Sequence, residues 1–375
     1  MENTDFYSKS AILQRQQKTN ETIEQLEKKR KSVRLLKILN GLFIFMGVGG
    51  LLSFKLIDSE MFAATTFSAG LMLVSFISMI VGVIGTIVIS FGKKEEEYRT
   101  LYKTLLVKAV ISEFFEKPIY EPEYGFSGQE IEEMYLLERV GVCFSEDYIH
   151  ATYQNVTFVQ ADVRVEEFGT NRNSYIFQGR VFDFDFPKEV KTDVLVYGKA
   201  FSGISSYAKA KPEITMESAD FIKRFRVFCN EAETAFYVLT PQIINAILYL
   251  GSIYQNRLAF RFTQGRVYVA IATKQDAFEP EVDKRTDYFS QCQRIRNELQ
   301  VIVQFITELG LNHETFKDSR YSVRRQLPLK SPMDDVLINM YREKMLNDNI
   351  NFIGAILITC AVAILLLSII MPYIQ

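Results

Sequence analysis

Three runs without a charged side chain carry most of the apolar excess of the chain: residues 38–54, 61–91 and 349–375. The first, 17 residues long, sits at the short end of what crosses a hydrocarbon core of ~30 Å. The second holds 31 residues, more than one crossing needs, and accommodates tilt. Only Lys55-Leu-Ile-Asp-Ser-Glu60 separates them, which leaves room for a tight helical hairpin. The third run has its apolar core at 352–370. A cleaved signal peptide fits the first run poorly: it starts nearly forty residues in, lacks an A-x-A-like site and is followed at once by another span.

Around these runs the period of the apolar positions changes. Ile23, Leu26, Val33 and Leu36 form a helical stripe leading into the first span. Tyr98, Leu101, Tyr102, Leu105, Ala109 and Phe115 continue the second span as a helix until Pro118. The pair predicts an antiparallel helical stalk projecting ~25–35 Å at ~1.5 Å per residue. Beyond Phe126 the texture becomes strand-like. A short helix is expected from Ser127 to Leu137, then strands at 147–153, 156–166, 174–185, 193–200, 221–230 and 235–239. Thr240-Pro241 opens a helix over 242–254 with an N-cap and N1 proline. Gln264-Gly265 turns a hairpin between 257–263 and 266–273, and a long amphipathic helix over 283–309 closes at Gly310.

The expected fold is α+β: an N-terminal transmembrane helical hairpin with a helical stalk, a mainly antiparallel cytosolic domain, and a C-terminal transmembrane helix. The divisions fall at 1–37 (basic helical arm), 38–92 (two-span hairpin), 93–117 (stalk), 118–311 (α+β domain), 312–348 (linker and short helix) and 349–375 (third span).

Charge sets the orientation of that plan. Lys28, Lys29, Arg30, Lys31, Arg34 and Lys37 precede the first span, and Lys93, Lys94, Arg99, Lys103 and Lys108 follow the second, whereas the hairpin loop holds only Lys55. Arg342 and Lys344 precede the third span and no charge follows it. Basic flanks stay on the cytoplasmic side, so the N-terminus and the main domain are expected there. Over the whole 375 residues, 43 basic against 45 acidic side chains leave a net charge of −2, and no global basic excess points to nucleic acid. The four cysteines (Cys143, Cys229, Cys292, Cys360) form no C-x-x-C pair, which excludes zinc ribbons and dithiol sites and fits reduced thiols.

Three stretches resemble a family of bacterial membrane proteins catalogued as domain of unknown function 3137. They are Tyr175-Ile-Phe-Gln-Gly-Arg-Val-Phe-Asp-Phe-Asp-Phe-Pro-Lys188; Asp220-Phe-Ile-Lys-Arg-Phe-Arg-Val-Phe228 with Tyr237-Val-Leu-Thr-Pro241; and 258–271 with Phe278-Glu-Pro280. The resemblance covers roughly 113–280. It implies a two-span hairpin ahead of the domain, a bacterial inner membrane location and an association with LemA-type membrane proteins. It implies no activity, and the third span has no counterpart in it.

Candidate chemistry is sparse. Asp183 and Asp185 alternate with Phe182, Phe184 and Phe186, which places two carboxylates on one strand face where a divalent cation or acid–base work is conceivable. No third ligand has motif spacing, and an alternating half-buried strand explains the pattern more plainly. His150 and His313 read as structural. G-x-S-x-G, P-loop and H-E-x-x-H strings do not occur. The basic run at Lys28–Lys31, Arg34 and Lys37 is a topology determinant and is compatible with an anionic lipid surface. Ser75, Ser78, Gly82 and Gly85 line one face of the second span with small side chains, so a neighbouring helix can approach closely. None of the three apolar runs holds an ionisable group, which argues against ion-coupled transport.

The expectation is therefore a membrane protein whose α+β domain binds another protein, with no enzyme activity, no cofactor and no nucleic-acid partner. A ligand-gated oligomeric effector or pore is the alternative, and an enzyme acting at the membrane surface is the third reading.

Overall fold

The structure is a computed structural model that describes residues 2–56, 93–138, 141–166, 175–186, 188–273, 275–285 and 287–312, together with 74, 75, 77–80, 82 and 85. Most of the expected second span, the linker beyond Asn312 and the third span at 349–375 lie outside the described residues. The chain divides into two compact units, 1–116 with 277–302, and 117–276 with 303–375.

The first unit is helical. Helix α1 runs from Glu2 to Leu56 without a break, and within it 21–49 is long and apolar enough to cross a membrane. Helix α2 (Lys93–Tyr102) passes through a π-helical turn, Lys103–Val107, into α3 (Lys108–Phe114). α1 and α2 lie antiparallel: Lys37 Nζ meets Glu95 Oε1 at 2.8 Å, and Lys29 pairs with Glu97 further down. Leu26, Val33 and Tyr98 are buried in this unit.

The wide turn shifts the buried stripe of the α2–α3 helix. Tyr98 and Tyr102 are buried at i, i+4, but the next buried apolar positions are Leu106, Val107, Val110 and Ile111, while the expected Ala109 is exposed. A π turn closes hydrogen bonds at i→i+5 rather than i→i+4, so it advances the inward face by one residue. Pro118 does not simply end the helix either. Phe115 turns to extended backbone and strand β1 (Glu116–Glu121) follows, with proline at an edge strand of the sheet, where a missing N–H costs least.

The second unit is built on a nine-stranded sheet among the described residues, ordered β1-β2-β3-β4-β9-β8-β5-β7-β6. The strands are β2 (Val142–Tyr153), β3 (Val156–Glu166), β4 (Tyr175–Asp185), β5 (Val194–Gly198), β6 (Glu213–Ile214), β7 (Phe225–Phe228), β8 (Leu258–Thr263) and β9 (Arg266–Ile271). Ladders from β2 through to β6 are antiparallel, so the domain is α+β. Helices α4 (Gly128–Glu133), α5 (Ser206–Lys209), α6 (Ala219–Arg224), α7 (Ala232–Val238) and α8 (Pro241–Ile253) fill the connections, and α9 (Tyr288–Glu308) belongs to this unit from residue 303 on. Local chemistry starts most of them. Ser127 and Glu130 form a reciprocal capping box before α4, and Thr240 caps α8 with Pro241 at its first position. Gly310, at φ +64°, ends α9 in the left-handed region that favours glycine.

Two expected strands are corrected. Residues 235–239 belong to α7: Thr234, Ala235 and Val238 are its buried positions, spaced for a helix, and that burial outweighs the β-propensity of the Ala-Phe-Tyr-Val-Leu string. Residues 221–224 are helical because the Ser218 side chain accepts from Phe221 N and caps α6; only Phe225–Phe228 extends as β7.

Both faces of the sheet are covered. One packs Val159, Ala161, Val163, Val181, Leu195, Tyr197 and Ala259 against Phe126, Ile131, Met134, Leu137, Phe201 and Ala208. The other presents Phe182, Phe184 and Phe260 to Phe305 of α9, with ring centroids 5.5, 6.3 and 6.2 Å away, and Tyr254 stacks on Phe305 at 5.9 Å. Replacing Phe305 with Ala removes the ring shared by all four. We expect a loss of about 3–5 kcal/mol, read as a lower guanidinium midpoint for the detergent-purified chain, with Phe289→Ala (73% exposed) as a near-neutral control.

Candidate functional site

The residues singled out by the sequence fall in two places. In the helical unit, α1 carries the six basic side chains, and three of them are committed within the unit. Lys29 and Lys37 pair with α2. Arg30 is only 3% exposed; its guanidinium donates twice to Glu27, at 2.9 and 3.0 Å, and once to the Val282 carbonyl at 2.9 Å. It is a tie between helix and loop rather than a surface charge. Lys28, Lys31 and Arg34 remain exposed at i, i+3 and i+6. Above them the same helix exposes Leu35 (58%), Phe45 (76%) and Met46 (59%).

Of the small residues of the 61–91 run, Ser78, Gly82 and Gly85 lie against α1. Ser78 Oγ donates to the Phe43 carbonyl at 2.9 Å, and Ser75 is buried. A Cβ on Gly82 would come 2.9 Å from the Ile44 nitrogen, and one on Gly85 would strike the Asn40 side chain. Gly85, Gly82 and Met79 thus face Asn40, Ile44 and Gly47 in reverse order, as in an antiparallel pair.

At the π turn, Lys103 is buried and its Nζ sits 3.0 Å from Glu279, which also takes Arg99 at 3.0 Å. Beside it Tyr102 Oη donates to Gln291 at 2.9 Å and accepts from Arg294 at 2.7 Å. Burial pushes the Tyr102 pKa up to about 12 against the pull of Arg294, so the phenol stays protonated at neutral pH.

In the sheet unit, Asp183 is 1% exposed and accepts from Arg266 Nη1 at 2.7 Å. Burial alone would lower the Arg266 pKa, but the facing Asp183 charge and its hydrogen bond raise it. Asp185, one strand pair along, is half-buried. The two carboxylates therefore do not form a matched cation site; one serves an internal ion pair. His150 lies on β2 opposite Val159, half-buried, and His313 lies outside the described residues. Cys143, Cys229 and Cys292 are free thiols. Cys292 has its pKa raised, chiefly by burial.

A cluster the sequence did not announce centres on Arg261 of β8. Its Nε and Nη2 lie 3.0 and 2.9 Å from Asp193 Oδ2, and its Nη1 donates to the carbonyls of Glu133 and Met134 at 2.9 and 3.1 Å. Rings of Tyr135, Tyr207 and Tyr268 surround the guanidinium at 5.0, 5.7 and 5.6 Å. Tyr207 Oη donates to Asp193 at 2.6 Å and its ring stacks on Tyr135 at 4.3 Å. The aromatic box is filled by the protein's own arginine. It clamps the segments around 133–138 and 205–211 to the sheet, helped by Tyr197 donating to the Leu136 carbonyl at 2.9 Å and Ser205 donating to that of Tyr135 at 2.6 Å. The signal in the sequence was slight: an arginine alternating with phenylalanines in Leu258–Thr263, a strand buried on both sides.

Comparison with known proteins adds one match, over part of the chain. Residues 175–311 match the family model described as protein of unknown function (DUF3137). No curated protein matches the chain. Among solved structures, the crystal structure of the mycobacterial trehalose monomycolate transport factor A, TtfA, is similar at a TM-score of 0.28 and 10% identity, over 55% of this chain and 93% of that one. A likeness that distant transfers no role.

Two expectations separate the carboxylates. Asp183→Asn takes from Arg266 its hydrogen-bonded carboxylate, leaving only the charge of its cross-strand neighbour Asp185, and should cost about 1.5–3 kcal/mol, whereas Asp185→Asn should cost under about 1 kcal/mol; paired denaturant titrations measure both. Burial raises the Asp193 pKa, but hydrogen bonds from Tyr207 and Arg261 and the arginine's charge bring it below the usual carboxylate value. A depressed native pKa stabilises above the unfolded value and is lost on acidification. The stability gap between the wild type and Asp193→Asn should therefore be full at pH 7 and shrink below about pH 4, followed by unfolding curves at both pH values.

Proposed function

We propose that this chain is an anchored membrane protein whose α+β unit binds another protein, acting as a scaffold or partner-binding component rather than an enzyme. The observation that carries the anchor is the outward apolar face of α1 from Leu35 to Met46, large side chains that water would not tolerate in a contiguous stripe. Charged residues stop at Lys37 and resume at Lys55. The packing of Ser78, Gly82 and Gly85 on α1 supports the two-span hairpin at 38–92. In this reading the 349–375 run is a third span, and the basic flanks hold the N-terminus and main domain in the cytoplasm of a bacterial cell, at its inner membrane.

The binding half of the reading rests on α7 and α8. From Thr234 to Asn256 no residue is charged, yet Phe236, Tyr237, Tyr249 and Ile253 are 44, 57, 50 and 43% exposed, with Gln242, Asn245 and Ser252 exposed among them. Aromatic enrichment with charge depletion is the composition of protein interface cores. A LemA-type membrane protein is the partner that the sequence resemblance implies. The oligomeric pore draws its sequence support from the Ser75–Gly85 face, and α1 of the same chain already occupies that face.

Alkaline carbonate treatment of native membranes should leave the chain in the pellet. A photocrosslinking residue at Tyr249 should give one adduct of discrete mass, lost when Phe236→Glu and Ile253→Glu are combined. Release into the supernatant would overturn the anchor. An adduct only with a second copy would overturn the scaffold reading in favour of a homo-oligomeric effector.

A further inference from the structure

The α7–α8 surface lies at the point where the chain leaves α9. Tyr254, at the C-terminal end of α8, stacks on Phe305 of α9 at 5.9 Å and donates to Gln304 at 3.3 Å. At the other end, a Cβ placed on Gly310 would stand 3.8 Å from Gln242 Nε2, in the first turn of α8. The last turns of α9 therefore run beside α8 and deliver the chain to its N-terminal end, with Leu309 and Leu311 buried and Asn312 donating to Gln154 Oε1 at 2.5 Å. The outer face of α8 carries Gln242, Asn245, Tyr249 and Ile253 at i, i+3, i+7 and i+11, all exposed. Phe236 and Tyr237 are exposed at the end of α7, which turns by 74° into α8. Charge is confined to the margins: Glu231 and Glu233 at the head of α7, Arg257 after α8, and Lys188, whose ammonium stands 5.7 Å from the Tyr237 ring centre.

Past Asn312, outside the described residues, the sequence supplies an occupant for that face. Ser331-Pro332 repeats the N-cap and N1 proline of Thr240-Pro241, with Asp334 and Asp335 in the first turn. Met333, Val336, Leu337, Met340 and Tyr341 then fall at i, i+3, i+4, i+7 and i+8, one stripe of a predicted helix. Asp335 and Arg342 fall on the opposite side, and among the apolar residues of 333–341 only Ile338 stands off the stripe. Lys344 closes it one turn on, ahead of the uncharged run at 349–375. Anchors at that spacing seat an amphipathic helix on an apolar surface, and methionines adapt to an uneven one. Reach is no obstacle: the 20 residues 313–332 extend at most ~65–70 Å, against ~20 Å for the whole of α8. Tethering makes the encounter intramolecular, which favours it over a free partner of equal intrinsic affinity. We infer that the 333–341 stripe docks on the outer face of α8 in the same chain and is the resting occupant of the interface proposed above, so that a partner binds by displacing it. The regulatory half of the inference rests on that interface; the internal contact rests on the chain exit and the stripe.

The test uses the purified full-length chain in mild detergent, with a photocrosslinking residue at Tyr249, irradiated and mapped by peptide mass spectrometry. A crosslink to the peptide that holds Met333–Tyr341 is expected. Leu337→Glu combined with Met340→Glu should lower its yield roughly tenfold, whereas Asp335→Ala combined with Arg342→Ala, opposite the stripe, should leave it unchanged. In native membranes the Glu variant should raise the yield of the intermolecular Tyr249 adduct roughly threefold or more, because the face is no longer covered. No internal crosslink, one that survives the Glu variant, or one lost equally in the Ala variant overturns the inference. A crosslink to the same peptide of a second copy, distinguished by mixing isotopically light and heavy chains, overturns it in favour of exchange between copies. A membrane adduct whose yield the Glu variant does not change overturns the regulatory half and leaves the interface standing. No membrane adduct from either chain overturns the interface, and the internal contact is then judged by its own crosslink.

Discussion

Burial of the antiparallel sheet on both faces is the constraint on which the second unit depends. A strand covered on one side tolerates charge on the other, but here Phe182, Phe184 and Phe260 meet Phe305 on one face while Val181, Tyr197 and Ala259 are packed on the opposite one. Every charge that alternates into such a strand must find a counter-charge inside, because an unpaired buried ion costs several kcal/mol. The sheet answers with cross-strand partners. Asp183 takes Arg266, Asp193 takes Arg261, and Asp162 faces Arg180 at 3.7 Å across β3 and β4. Near its edge Tyr120 donates to the fully buried Asp147 at 2.5 Å, and burial together with that carboxylate drives the tyrosine pKa upward.

The same pairs limit what the sheet can do chemically. A carboxylate held by a guanidinium is a poor base and an occupied ligand, so Asp183 and Asp193 contribute register and rigidity. Arg261 shows this most fully: two donors go to Asp193, one fork arm goes to two backbone carbonyls, and three tyrosine rings close around the cation. An aromatic box of this kind recognises cations when it is empty. Filled from within, it fastens the segment around Tyr135, whose φ of +49° the clamp sustains.

Much of the architecture was legible because it was written locally. Thr240-Pro241, Gln264-Gly265 and Gly310 each act through their own backbone geometry, and the helix, hairpin and helix end they mark are present. What failed was decided by burial from outside the segment. The Ala-Phe-Tyr-Val-Leu string of α7 has strand composition, yet only Thr234, Ala235 and Val238 face inward. The π turn at Lys103–Val107 has no sequence marker, and it moved the inward stripe from Ala109 to Val110. Among the candidate residues, Arg30 was indistinguishable from its five basic neighbours until Val282, 252 positions away, supplied a carbonyl for it.

Helix α1 carries a buried and an exposed apolar face in one uninterrupted element. Leu26 and Val33 are buried, whereas Leu35, Phe45 and Met46 are exposed. Val33 and Leu35 stand about 200° apart around the helix, so they belong to opposite faces, and Leu36, Asn40 and Ile44 stay half-buried on the inward one. Lys37 is paired with Glu95 at 2.8 Å, and no further charge appears on the helix until Lys55. On the anchored reading proposed above, a pair at that level costs little where water still reaches it, whereas an unpaired lysine one turn deeper would carry the penalty of a charge in hydrocarbon. On that reading Lys37 is the last charge before the apolar stretch and is the one that carries a partner, while Lys28, Lys31 and Arg34 are exposed on the polar side of it.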